Sequence, residues 1–214
     1  MSDPRKLVFY HSPQTRSTGV RILLDELEAP HEMHVVNMKA GEQRQSAYLA
    51  LNPMGKVPAI RHGDAMVTEQ GAIFIYLADF FAQKGLAPAL DDPLRGPYLR
   101  WLVFYGSSFE PAVVDRAMKR EPGSPAMSPY GDFETMLGAL TGALKTGPYL
   151  LGERFSAADI LWATALTWTT GFKLVPSSPE FSAYMARVNA RPSVARCSAA
   201  DAELAAAHAA AVKE

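Results

Sequence analysis

Cysteine is almost missing from this sequence. Cys197 stands alone among 214 residues, so no internal disulfide framework can form and the chain suits a reducing compartment. An excess of either charge is missing too: 21 Lys and Arg face 22 Asp and Glu, a formal net charge of -1. That balance gives no pull toward nucleic acid or an anionic bilayer. No stretch approaches the roughly 20 apolar residues that would cross a membrane. The opening Met1-Ser2-Asp3-Pro4-Arg5-Lys6 lacks the apolar core of a signal peptide. The expectation is a cytoplasmic protein with no membrane partner, no nucleic-acid partner and no metal. No internal repeat is present. What remains, 48% hydrophobic and 20% charged residues, is the balance of a globular chain with one or two cores.

The stretch from Asn52 to Leu77 is the most informative. A turn, Asn52-Pro53-Met54-Gly55, leads into the apolar run Lys56 to Ile60. A second turn, His62-Gly63-Asp64, precedes Ala65 to Thr68, which predicts two short strands joined by a tight loop. Pro58 lacks an N–H and belongs at a strand start; the sequence does not choose between cis and trans for Val57-Pro58. A cis bend would turn the Val57 N–H and C=O outward, where an extended peptide could pair with them. Glu69 and Gln70 then open a helix carrying Ala72, Ile73, Ile75, Tyr76 and Leu77. There Glu69 can hold an ammonium and the helix N–H groups a carboxylate. An ordinary hairpin with a polar cap is the competing reading.

Lys6 to Tyr10 predicts a first strand, and His11-Ser12-Pro13-Gln14-Thr15 a loop in which His11 is a solvated side chain. Val20, Leu23, Leu24 and Leu27 recur at helical spacing from Ser17 until Ala29-Pro30. His31 to Met38 predicts a second strand, parallel to the first. The result is a four-stranded α/β layer over residues 1–82. Residues 83–93 are rich in breakers and are expected to be a linker. Residues 94–214 predict an all-helical domain. Its first helix, with Leu99, Leu102, Val103, Tyr105 and Phe109, should be interrupted at Pro111. A loop from Glu121 to Pro129 and a helix from Phe133 to Leu144 follow. The capping box Ser156 to Asp159 precedes a buried helix over Ile160 to Thr167, in which Trp162 packs, as Trp168 does just beyond it. Glu180 to Asn189 is one more helix, before an alanine-rich tail expected to fray.

Together, Asn52-Pro53, Gly55-Lys56-Val57-Pro58-Ala59-Ile60, Glu69, the capping box and Tyr184-Met185-Ala186-Arg187-Val188-Asn189-Ala190-Arg191-Pro192 resemble the cytosolic glutathione transferases, bacterial type with mixed class features. The resemblance implies a thioredoxin-like domain that binds glutathione as co-substrate, a helical domain supplying the acceptor pocket, a homodimer and a cis bond at Pro58. It places the Val57 backbone against the cysteinyl part of glutathione, with Glu69 and Gln70 on the γ-glutamyl end. Gln43, Arg44 and Lys56 fall near the glycine carboxylate. Gln70 departs from the family's usual serine or threonine and is expected to weaken binding without abolishing it.

Such chemistry needs a thiolate, and an ordinary thiol is only a few per cent ionised at neutral pH. Lowering its pKa by about two units takes roughly 2.7 kcal/mol, within reach of one hydrogen bond plus the positive end of the first helix. The family's cysteine position holds Arg16 and its serine position Gln14, so the candidates are Ser12 first, then Ser17 and Thr15, with Arg16 as a supporting charge. For the acceptor pocket the resemblance points to Trp101, Phe104, Tyr105, Phe109 and Arg116. The expected activity is attack of glutathione thiolate on small hydrophobic electrophiles, with peroxide or mixed-disulfide reduction as a related mode. The alternative is a catalytically weak binding or regulatory protein on the same fold.

Overall fold

In the computed structural model, which describes residues 6–121 and 123–211, the first unit is built on strand β1 (Leu7–His11), buried at all five positions. A strand covered on both faces needs apolar residues at odd and even positions alike, and Leu7-Val8-Phe9-Tyr10 supplies them. β1 pairs in parallel with β2 (Glu32–Val35) and antiparallel with β3 (Ala59–His62); β3 pairs antiparallel with β4 (Ala65–Val67), for a sheet order β2-β1-β3-β4. Helix α1 (Ser17–Glu26) joins β1 to β2, a single turn α2 (Ser46–Leu49) precedes β3, and α3 (Gln70–Phe80) follows β4. Val8 and Tyr10 meet Val36, Tyr48 and Ala59 on one face of the sheet. Leu7, Phe9 and His11 occupy the alternate positions and therefore the other face.

Three boundaries differ from the sequence expectation. The second strand stops at Val35 because Asn37 turns the chain: its side-chain oxygen accepts the N–H groups of Lys39 (3.1 Å) and Ala40 (3.2 Å), and its own N–H donates to Glu42 (2.6 Å). The third strand starts only at Ala59, after Pro58, and runs through His62, so the hairpin turn shrinks to Gly63-Asp64. β1 continues through His11, which is wholly buried and is no solvated loop residue.

The chain divides into two compact units, one running to Leu77 and resuming at Arg191, the other spanning Ala78–Ala190. The division differs from the boundaries at 82 and 93, because helix α9 (Pro192–Ala210) belongs to the first unit. The tail expected to fray is pinned to α1. Arg191 grips Glu26 with two hydrogen bonds of 2.8 and 2.6 Å, Ser193 bonds the same carboxylate, Arg196 pairs with Asp25, and Asp201 bonds Thr18 and Arg21 at 2.5 Å each.

In the second unit α4 (Arg95–Phe104) passes through a π-turn (Tyr105–Phe109) into α5 (Glu110–Ala117). Pro111 has no N–H to give the regular ladder, and the wider turn immediately before it is the expected interruption. Helices α6 (Phe133–Leu144), α7 (Ala157–Gly171) and α8 (Pro179–Asn189) complete the unit. Asp159 closes the capping box at the head of α7: its carboxylate accepts the N–H (2.8 Å) and hydroxyl (3.0 Å) of Ser156, the N–H of Leu150 (2.9 Å) and the Tyr184 hydroxyl (3.0 Å). No helix among the described residues is long and apolar enough to cross a membrane.

Candidate functional site

The loop between β1 and α1 carries three hydroxyls to the positive end of α1. Gln14, in the left-handed region at φ 56°, turns the chain so that the loop folds back on itself. Ser17, wholly buried, is the hub. Its Oγ lies 2.8 Å from the Ser12 carbonyl, 2.9 Å from His11 Nδ1 and 2.7 Å from Thr15 Oγ1, and it accepts the Ser12 N–H at 3.1 Å. Thr15 Oγ1 lies 2.7 Å from the Ser12 carbonyl, to which it donates, and accepts the Ser17 N–H at 3.2 Å. Ser12, the first-ranked candidate, enters this network through its main chain. Thr15 is the half-buried member of the trio, while Ser12 and Ser17 are buried and Arg16 is exposed.

Sequence reasoning missed the next layer. His11 Nε2 lies 3.0 Å from Asp201 on α9, and Asp201 also accepts from Thr18 and Arg21. Burial would raise the Asp201 carboxyl, but the hydrogen bonds from His11, Thr18 and Arg21 outweigh it and hold its pKa below the ordinary value. The signal for His11 was in the strand alternation, since Leu7, Phe9 and His11 share a face. Nothing local marked Asp201, 190 residues further on. On the same helix, burial and then the nearby Asp25 charge push the Cys197 thiol up to about 11, which makes it a packing residue and no nucleophile.

The Val57 segment is held from beneath. The Lys56 carbonyl accepts the Tyr48 hydroxyl (2.7 Å) and the Asn52 amide (2.9 Å), and the Asn52 side-chain oxygen accepts the Met54 N–H (3.1 Å). Burial pushes Tyr48 up to about 12, so it stays a neutral donor. Gly55, at φ 59°, is required on two counts, because a Cβ there would also lie 2.8 Å from the Gln43 carbonyl. The Val57-Pro58 bond is cis. Glu69, exposed, takes the left-handed conformation at φ 64° immediately before α3, an uncommon state for a residue with a Cβ. Gln70 Nε2 donates to the Arg16 carbonyl at 3.0 Å, tying the head of α3 to the hydroxyl loop. Gln43 sits in a 3-10 turn with Arg44, beside Gly55. The structure thus joins Thr15 and Ser17 by hydrogen bonds, ties Gln70 to the intervening Arg16 carbonyl, and sets Gln43 and Arg44 close against Gly55. A cavity of about 410 Å³ lined by Tyr10, His34, Glu42 and Tyr48 contains none of the predicted glutathione residues.

In the helical unit, Trp101, Phe104, Tyr105 and Phe109 surround Trp162 at ring distances of 4.9 to 6.1 Å, and Trp162 donates to the Trp101 carbonyl at 3.0 Å. Trp101, Tyr105 and Phe109 are buried core, whereas Phe104 is half-buried. Arg116 stands apart, exposed, over the ring of Phe133 at 4.3 Å.

A four-stranded mixed sheet entering α3 through a strained glutamate, accompanied by an all-helical unit, defines a thioredoxin-like protein with an appended helical domain. Residues 6–79 match the glutathione S-transferase N-terminal domain and residues 131–192 the C-terminal domain, and the chain belongs to the glutathione S-transferase family. It is 29% identical over 197 residues to a glutathione S-transferase of Hyoscyamus muticus, covering 85% of this chain and 93% of that protein. It is 28% identical over 188 residues to glutathione S-transferase GstA of Escherichia coli O157:H7, covering 86% and 94%. Among solved structures, a glutathione transferase from Methylococcus capsulatus superposes with a TM-score of 0.77 at 28% identity, over 92% of this chain and 98% of that one. A homologue from Sulfitobacter with bound glutathione gives 0.71 at 28%, over 89% and 96%.

Proposed function

We propose that this transferase binds glutathione as co-substrate, holds it as thiolate at the head of α1, and attacks small hydrophobic electrophiles. The observation that carries the reading is a pair of buried side-chain oxygens, Gln43 Oε1 and Gln70 Oε1, with no hydrogen-bond partner. A buried acceptor left unpaired costs about 1–3 kcal/mol, which is relieved when the amide side chain turns to meet a ligand rich in N–H donors. Glutathione brings an ammonium and two amide N–H groups. Glu69 and Gln70 take the γ-glutamyl end, the Val57 backbone the cysteinyl amide, and Gln43, Arg44 and Lys56 the glycyl end. Of the hydroxyls, Thr15 is the most accessible to the sulfur. Phe104 and Arg116 are the acceptor candidates with accessible side chains. Peroxide and disulfide reduction by the same thiolate, a cytoplasmic location and a homodimer belong to this reading. Exposed apolar side chains such as Met54, Phe80 and Val103 support the last.

The second reading, a binding or regulatory protein with little turnover, is favoured by the inward direction of the Ser17 hydrogen bonds. Retention on immobilised glutathione together with turnover of a chloronitrobenzene acceptor is the expected result. Retention without turnover establishes the second reading, and loss of both removes the glutathione site.

A further inference from the structure

Four contacts link three oxygens and one nitrogen at the head of α1: Ser17 Oγ to His11 Nδ1, Ser17 Oγ to the Ser12 carbonyl, Ser17 Oγ to Thr15 Oγ1, and Thr15 Oγ1 to the Ser12 carbonyl, all between 2.7 and 2.9 Å. The protons available to them can be counted. With Nδ1 bare, the Ser17 proton must point at it, since two lone pairs 2.9 Å apart repel. The Thr15 proton is then the only one left among three oxygens packed at hydrogen-bond distance, and it is held inward. With Nδ1 protonated, the imidazole donates to Ser17, the Ser17 proton serves the oxygens, and the Thr15 proton is released to point outward. The group that makes a protonated His11 tolerable is Asp201, 3.0 Å from Nε2 at the opposite side of the ring. His11 is wholly buried and Asp201 nearly so. Of the other charged or titratable groups around this pair, Arg21 and Cys197, Arg21 bonds the same Asp201 oxygen and Cys197 is a raised, neutral thiol.

We infer that His11 and Asp201 are positioning residues for thiol activation, the inner end of a relay that carries the glutathione thiol proton inward through Thr15 and Ser17. The S–H bond breaks toward Thr15 Oγ1, the Thr15 proton passes to Ser17 Oγ, and the Ser17 proton passes to His11 Nδ1. The products are a thiolate accepting a hydrogen bond from Thr15 and an imidazolium paired with Asp201, with no other reactant needed. This is the order of parts in an Asp–His–Ser arrangement, here directed at a substrate sulfur through a second hydroxyl. It places a residue of the last helix in the chemistry of the first loop. The inference rests on the proposed glutathione site.

The test uses the intact protein. Asp201→Asn keeps the shape and removes the charge, and it is expected to raise the pKa of the bound glutathione thiol, read from the ultraviolet thiolate band, by about one unit, tenfold less thiolate at neutral pH, while KM for glutathione changes by less than about threefold. His11→Asn should do the same, and the double variant no more than either alone, because the two act in series. Arg191→Ala, which loosens α9 elsewhere, should lower stability and leave the thiolate band unchanged. The wild-type protein offers a readout independent of any variant: imidazole nitrogen resonances should report protonation of His11 on titration with glutathione and none with S-methylglutathione, which has no thiol proton. An unchanged thiol pKa in Asp201→Asn and His11→Asn, or the same His11 response to both ligands, overturns the relay while leaving the glutathione site intact. Failure of the wild-type protein to bind glutathione overturns both.

Discussion

The seam between α1 and α9 carries three charged contacts that differ mainly in burial, and truncating each in turn should give three different costs. At the exposed end, Asp25 pairs with Arg196, whose side chain is 62% exposed. In the middle, Glu26 at 11% meets Arg191 at 35% and accepts from Ser193 as well. At the inner end, Asp201 at 6% faces Arg21 at 18% and His11 at 0%. An exposed pair contributes under about 1 kcal/mol, so Asp25→Ala should be nearly silent. Glu26→Ala removes a two-pronged guanidinium contact, but Arg191 can rehydrate, and the cost should be about 1–3 kcal/mol. Asp201→Ala strands His11, Thr18 and Arg21 away from water, and the loss of one partner of a buried pair costs about 3–5 kcal/mol. Hydrogen exchange of the α9 amides reads the opening of this helix directly, without requiring the two units to unfold together. Equal costs for Asp25→Ala and Asp201→Ala would refute the reasoning, since Asp201 is the more buried of the two and leaves three partners stranded where Asp25 leaves one.

The same seam sets an acid limit. The Glu26 carboxyl is raised by burial but lowered more by its Arg191 and Ser193 hydrogen bonds and by the charges of Arg191 and Arg196, leaving it below the ordinary value of 4.5, and Asp201 likewise lies below 3.8. A folded pKa below the unfolded one contributes stability that is present above the unfolded value and lost as pH falls through the folded one. Protection of the α9 amides should therefore hold at pH 5 and above, and decline below about pH 4. Glu26→Gln should weaken that protection at neutral pH and flatten its acid dependence.

Asn52→Ala removes one of two donors to the Lys56 carbonyl and the acceptor of the Met54 N–H, at about 1–3 kcal/mol. Because it also loosens the backbone that presents Val57, KM for glutathione should rise several-fold, and a loss of stability with KM unchanged would show that the turn does not serve the site. Met54→Asp places a charge on a side chain that is 66% exposed and apolar. If the proposed homodimer uses this surface, sedimentation should show it weakened with the thermal midpoint within about 2 °C, as befits a surface change worth under about 0.5 kcal/mol to the monomer, and unaltered association would remove Met54 from the proposed interface.

What could be read from the sequence, and what could not, follows the range of the forces involved. The hairpin, the Pro111 interruption and the Ser156 to Asp159 cap depend on residues within a few positions of each other, and turn chemistry, a missing N–H and a capping hydroxyl act at that range. The strand end at Val35 has a related cause: the apolar pair Val35-Val36 at the centre of His31 to Met38 argues for continuing, and the contacts of Asn37 with Lys39, Ala40 and Glu42 end it. Within the proposed site, the likeness of Asn52 to Ile60 to a known family points to the segment that carries the cis Val57-Pro58 bond. The residues organising the loop between β1 and α1 were not legible. Polarity argues for a solvated His11 where strand parity argues for a buried one, and Asp201 sits in an alanine-rich helix with little apolar stripe to suggest burial. The buried face of α9 is Ser193, Cys197 and Asp201, three short side chains at four-residue spacing, and that face carries the Asp201 carboxylate to the ring at the end of β1. A buried stripe of short side chains in place of large apolar ones therefore both conceals the packed face of α9 from a reading of apolar periodicity and brings Asp201 within 3.0 Å of His11.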